Sequence, residues 1–214
     1  MARKRDRLFP VRLGIILAVG TACIIAAAIY GPSGRRTPAP PETQEEGIAL
    51  VRDILRRVRP TEFGRSPRGT LLSETIEDFL QRGRLIFTPD IASQALYRRE
   101  GTGYAVLYVK ALRIGGRVVH QTPEEVAEGI YHEAVHASQR HEHGSSIEEE
   151  CDGFCAGLCA GAAVTGRAEP ELLTIEGAPL AQFVTTSYPE LPRKPDYQPV
   201  SASLDWLKRR TGLR

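Results

Sequence analysis

The chain has 214 residues, 42% of them hydrophobic, with 28 Lys and Arg against 26 Asp and Glu. That size suits one compact domain with a real core, and acids and bases interspersed without a basic, aromatic-bearing stripe exclude nucleic acid as a partner. The cysteines give no disulfide framework: Cys23 lies in an apolar run, and Cys151, Cys155 and Cys159 fall at steps of four on one predicted helix, where disulfide geometry is poor. Those three read as small buried hydrophobes that pack their helix against the one before it.

Residues 1–12 form a basic N-terminus, with Arg3, Lys4, Arg5, Arg7 and Arg12 against Asp6. Residues 13–30 carry no charge, and as a helix they would span about 27 Å, close to the thickness of a bilayer's hydrocarbon layer. Only Arg35 and Arg36 follow closely. The excess of basic residues ahead of the span predicts a single-pass signal anchor, with the N-terminus cytoplasmic and the remainder on the far side of the cell membrane. A cleaved signal peptide is the rival reading, since Ala26, Ala27 and Ala28 offer a small-residue cleavage site. Residues 31–46 are rich in proline and polar side chains and read as an extended tether, leaving 47–214 as the folded domain.

Within the domain, Ile48, Val51, Ile54, Leu55 and Val58 predict an amphipathic helix ending before Pro60, and residues 71–81 predict a second. Residues 86–89 and 104–109 are rich in β-formers, and 113–119 read as a turn followed by a strand. Thr122-Pro123-Glu124-Glu125 predicts a helix start, with Thr122 as N-cap, Pro123 in the first turn and Glu125 closing a capping box; Gly144 is the expected stop. Residues 147–164 predict a further helix, 169–187 are mixed, four prolines mark a loop to Pro199, and Leu204, Trp206 and Leu207 suggest a short closing helix.

The first of the two long helices carries His132-Glu133-Ala134-Val135-His136, the pattern HExxH. Side chains four apart stack on one helix face, so two imidazoles reach one metal ion while Glu133 points at its open side, placed to take a proton from water. A third ligand is needed. The metzincin continuation fails, because Gln139 and Glu142 stand where it requires Gly and His. His141 and His143 are near in sequence, yet His143 lies about 10 Å farther along an unbroken helix.

The second helix opens with Glu148-Glu149-Glu150-Cys151-Asp152-Gly153-Phe154. HExxH followed by such a segment resembles the gluzincin metallopeptidases, in particular the CAAX-prenyl-protease, ImmA/IrrE-like and minigluzincin types. The resemblance covers about residues 122–166. It implies Zn2+ held by His132, His136 and Glu148, with Asp152 buttressing an imidazole and Glu133 as the catalytic acid and base. It further implies a compact α+β zincin-like domain in which an edge strand runs along the cleft and pairs with a protein or peptide substrate. Cys151 and Cys155 replace the small residues usual there, and the gap of eleven residues between His136 and Glu148 is short. Glu148 or Glu149 also has a plainer reading as a capping partner of Ser145 or Ser146. Tyr104, His120, Tyr131 and Tyr188 are candidate donors to an oxyanion.

The expected function is thus a membrane-anchored zinc metalloendopeptidase. The alternative from another class is a catalytically inactive zincin-like binding or scaffold protein, and stoichiometric zinc together with peptide cleavage separates the two.

Overall fold

A computed structural model of the chain describes residues 36–99, 104–141 and 144–214. The expected basic N-terminus and membrane anchor lie outside the described residues, among which no helix is long and apolar enough to cross a membrane.

The chain order is α1 (Pro41–Val58), α2 (Glu62–Arg65), α3 (Pro67–Gln81), β1 (Leu85–Thr88), β2 (Ala95–Arg99), β3 (Ala105–Ile114), β4 (Arg117–His120), α4 (Pro123–Gln139), α5 (Ile147–Thr165), β5 (Thr174–Ile175), β6 (Ala178–Pro179), α6 (Leu180–Ser187) and α7 (Leu204–Thr211). In the main sheet the long strand β3 is central, parallel to β1 and antiparallel to β2 and β4. The result is a mixed α and β architecture whose core joins α1, α3, α4, α5 and the inner face of the sheet.

The proline-rich tether is shorter than its composition suggests. Helix α1 begins at Pro41, so residues 41–46 are helical, because a proline with its fixed φ is well suited to a first helical turn. Ala39 is buried and donates its amide to the Phe87 carbonyl at 2.7 Å. Gly47 packs flat on the Phe87 ring, where any Cβ would overlap it. Residues 37–47 therefore belong to the domain.

The two long helices form an antiparallel pair. Thr122 and Glu125 make the expected capping box at the start of α4. The helix stops at Gln139, before Gly144, with Arg140 in the left-handed region at φ 60°. Helix α5 starts at Ile147 with Ser146 as N-cap. What draws the helices together is a stripe of glycines on α5, Gly153, Gly157 and Gly161, one per turn. A Cβ at Gly157 would lie 2.5 Å from the Glu128 carbonyl oxygen, and one at Gly153 would lie 3.0 Å from the His132 ring.

That stripe corrects the part expected of the cysteines. Cys151, Cys155 and Cys159 are reduced and buried. They lie two residues, about 200° of helix turn, from the glycines and so face away from α4. Arg210 of α7 donates to the Cys159 sulfur at 3.1 Å.

Candidate metal centre

His132 and His136 project from the same face of α4, and their Nε2 atoms stand 3.0 Å apart. Glu150 closes the group: its Oε2 is 3.4 Å from His132 Nε2, and its Oε1 is 3.5 Å from His136 Nε2. All three ligand atoms fall within 4.8 Å of one another. Two imidazole nitrogens on one tetrahedral zinc stand about 3.4 Å apart, so the observed spacing fits. Glu150 Oε2 is buried without a hydrogen-bond partner. An unpaired buried carboxylate oxygen is costly, and a cation coordinated there removes the cost. Gly144 makes room for Glu150, since a Cβ at that position would overlap its carboxylate.

The ring orientations are set from outside. Glu149 Oε1 lies 3.0 Å from His136 Nδ1, which fixes the proton on Nδ1 and leaves Nε2 free to coordinate. Glu149 in turn accepts from the amide and hydroxyl of Ser145 and bonds His141 Nδ1. Phe154 meets the His132 ring edge-on, 4.6 Å between centroids. Glu133 Oε2 accepts the Tyr97 amide of β2 at 2.7 Å, while its Oε1 makes no hydrogen bond to a described residue.

Electrostatics point the same way. Burial alone would lower the His136 pKa, but Glu150, the Glu149 hydrogen bond and Glu133 outweigh it and carry the value up to about 9. Burial raises the Glu133 carboxyl above its ordinary value despite both imidazoles. Burial also opposes ionisation of Glu149, yet its bonds to His136 and Ser145 bring it down to about 2. Three carboxylates thus converge on the two imidazoles of the ligand group, which suits a divalent cation.

Beside His132 and Glu133 opens a cavity of about 440 Å³, walled by Ala92–Ala95 and Lys110 of the sheet side, Glu128 and Gly129 of α4, and Phe154, Gly157 and Leu158 of α5. Ile175, Phe183 and Tyr188 close its far side.

No family model matches the chain, and no curated protein or solved structure matches it. The likeness to gluzincins rests on the residues themselves.

The structure changes two of the site assignments that this likeness implies. Glu148 does not meet the imidazoles. Its carboxylate is taken by Arg193 Nε at 2.6 Å and the Lys194 amide at 2.7 Å. Glu150 lies two residues on, about 200° round the helix, and is the carboxylate that reaches both rings. Asp152 likewise touches neither ring: it binds Arg68 at 2.5 Å, the Tyr197 hydroxyl at 2.8 Å and the Val200 amide at 3.0 Å. The imidazole partner is Glu149. His141 bonds Glu149 rather than joining the ligand group, and His143 lies outside the described residues.

Of the candidate oxyanion donors, only Tyr188 lines the cavity with His132 and Glu133. Tyr131 is buried against Ser73 at 2.7 Å, with its pKa pushed by burial to about 12. Tyr104 is exposed and covered by Arg84, and His120 bonds the Gln121 carbonyl. Strand β2, absent from the sequence reading, is the sheet edge beside α4. Its outward groups are partly engaged, with the Tyr97 amide on Glu133 and the Ala95 carbonyl accepting from Ser93 Oγ at 2.6 Å. The expected substrate-pairing edge therefore has fewer open groups near Glu133 than the resemblance implies.

Proposed function

We propose that this chain is a zinc-dependent peptidase, with the metal held by His132, His136 and Glu150. The observation that carries the reading is the convergence of both Nε2 atoms and a Glu150 oxygen without a hydrogen bond, next to a half-buried Glu133 that lines a largely apolar cavity. Zinc, when bound, supplies Lewis-acid polarisation of the scissile carbonyl and makes water a better nucleophile.

The chain's own residues do the rest. Glu133 Oε1, free on the cavity side, takes the proton as water adds to the carbonyl carbon. The same carboxyl passes that proton to the amine as the C–N bond breaks, leaving a carboxylate and a free amine. A carboxyl whose pKa is raised by burial is suited to both transfers. Tyr188 lies near Glu133 and Glu150, and its hydroxyl, unpaired among the described residues, is the candidate donor to the developing oxyanion. Burial, then those carboxylates, raise its pKa, so it remains a donor at neutral pH. Glu149 keeps the His136 tautomer fixed. The uncharged stretch 13–30 supports a membrane anchor with the peptidase outside the cytoplasm.

A second reading, a metal clip without turnover, is favoured by the Tyr97 amide already seated on Glu133. Digestion of a peptide library by wild type, Glu133→Gln and chelator-treated protein decides between them. The peptidase reading expects zinc retained in Glu133→Gln and turnover reduced by roughly 10²–10⁴-fold. Zinc bound with no cleavage of any peptide supports the clip.

A further inference from the structure

The cavity beside the metal centre has a largely apolar surface, and among the described residues that line it Glu128 is an acid the proposed chemistry does not use. Glu128 lies one turn before His132 on the same face of α4, about 6 Å away along the axis. Its side chain is half-buried and lies against α5. A Cβ at Gly161 would lie 2.8 Å from Glu128 Oε1, so the last glycine of the stripe is what admits it.

Glu128 has no hydrogen bond or ion pair within the described residues. Its nearest charged neighbours are Glu124, Arg167 and Glu125, and Arg167 is already paired with Glu124. Burial and then Glu124 raise its pKa to about 7, the mark of a carboxylate with no cation close enough to compensate it. Lys110, the one lysine or arginine among the described residues lining the cavity, is turned to the Ala92 carbonyl at 2.7 Å. The lining that Glu128 and Glu133 share includes Gly129, Gly157, Leu158 and Phe154. They suit the aliphatic stem of a basic side chain, and Glu128 offers its charged end an acid that no arginine or lysine has taken.

We propose that this cavity selects substrates carrying lysine or arginine next to the scissile bond, with the stem on Phe154 and Leu158 and the cationic end on Glu128. The proposal rests on the peptidase reading above and names its substrate class.

The test uses the zinc-loaded full chain and has two arms. In the first, a peptide library is digested and the residues flanking each cut are read by mass spectrometry. Wild type is expected to cut with lysine or arginine enriched on one side of the bond. In Glu128→Gln the ratio of kcat/KM for a lysine peptide over its norleucine analogue should fall about tenfold, through KM, while Glu171→Gln, which removes an exposed acid outside the cavity, keeps the ratio. In the second arm, Glu133→Gln protein is titrated with the same two peptides, and the lysine peptide is expected to bind about tenfold tighter. Cleavage without a basic preference, a preference for acidic residues set by Lys110, or a preference that survives Glu128→Gln overturns the inference and leaves the peptidase reading intact. Zinc binding with no cleavage overturns the peptidase reading. The binding arm then still judges the cavity, since equal binding of the two peptides, or no binding of either, overturns the inference on its own.

Discussion

Two pairs of acids share the first turns of α5, and they differ in what satisfies them. Glu148 and Asp152 each meet an arginine, Arg193 of the C-terminal segment and Arg68 of α3 respectively. The Lys194 amide also bonds Glu148, while the Tyr197 hydroxyl and the Val200 amide bond Asp152 Oδ2 and Arg68 stands 2.5 Å from Asp152 Oδ1, which makes no hydrogen bond of its own. Glu149 and Glu150 face α4. Glu149 is filled by His136, His141 and Ser145, and Glu150 keeps a buried oxygen with no hydrogen bond. A carboxylate neutralised by an arginine holds a fold together, whereas a buried one that faces only imidazoles marks where a cation belongs. Spacing along the chain does not separate the two kinds.

The sharpest break of this comparison comes from the arginine-paired acids. Asp152→Ala strips the buried Arg68 of its counter-charge and should cost about 3–5 kcal/mol, read from the denaturation midpoint. Zinc affinity of the folded fraction should stay at the wild-type level. Loss of zinc from folded Asp152→Ala would mean that Asp152 supports an imidazole after all.

A smaller effect is expected for Glu149→Ala. It frees the His136 ring without removing a ligand, so metal affinity should fall about 10–100-fold in competition with a chromophoric chelator. Unchanged affinity would show that His136 is oriented by something else.

The smallest concerns Glu128. Its folded pKa of about 7 lies above the usual carboxyl value, so its contribution to stability is fully present at acidic pH and is lost as pH rises from about 4.5 through 7. Part of the carboxylate meets solvent, which screens the penalty to about 1 kcal/mol. Glu128→Gln should therefore melt higher than wild type at pH 8 and equally at pH 4.5. A difference of equal size at both pH values would show that its charge is not what matters.

Much of the frame was legible. Thr122, Pro123 and Glu125 fix the start of α4 by local capping alone, and HExxH needs only helical periodicity to bring His132 and His136 together. Glu150 was not legible from the motif, because which of three successive acids faces the histidines depends on how the chain turns between the helices. Helix α4 ends at Gln139 through a left-handed Arg140, a conformation that nothing in its side chain announces. One signal did lie in the sequence. Glycines at 153, 157 and 161 mark the face of α5 that approaches its neighbour, and Glu149 and Glu150, four and three residues before Gly153, lie on that face while Glu148 does not. Strand β2 escaped because Ala95–Arg99 is short and ends in two arginines, and its place is set by pairing with β3. The helical reach of Pro41 was hidden by proline content that composition equates with extended chain.

The central claim is that the metal is held by Glu150 and not by the Glu148 that the motif suggests. Its most direct test is zinc content by inductively coupled plasma mass spectrometry on folded wild type, Glu148→Ala and Glu150→Ala. Glu148→Ala loses the charged bond to Arg193, so it should be less stable by about 2 kcal/mol and still carry stoichiometric zinc. Glu150→Ala should fold and carry none. Zinc retained in Glu150→Ala and lost in Glu148→Ala, or absent from the wild type supplied with zinc, would contradict the account.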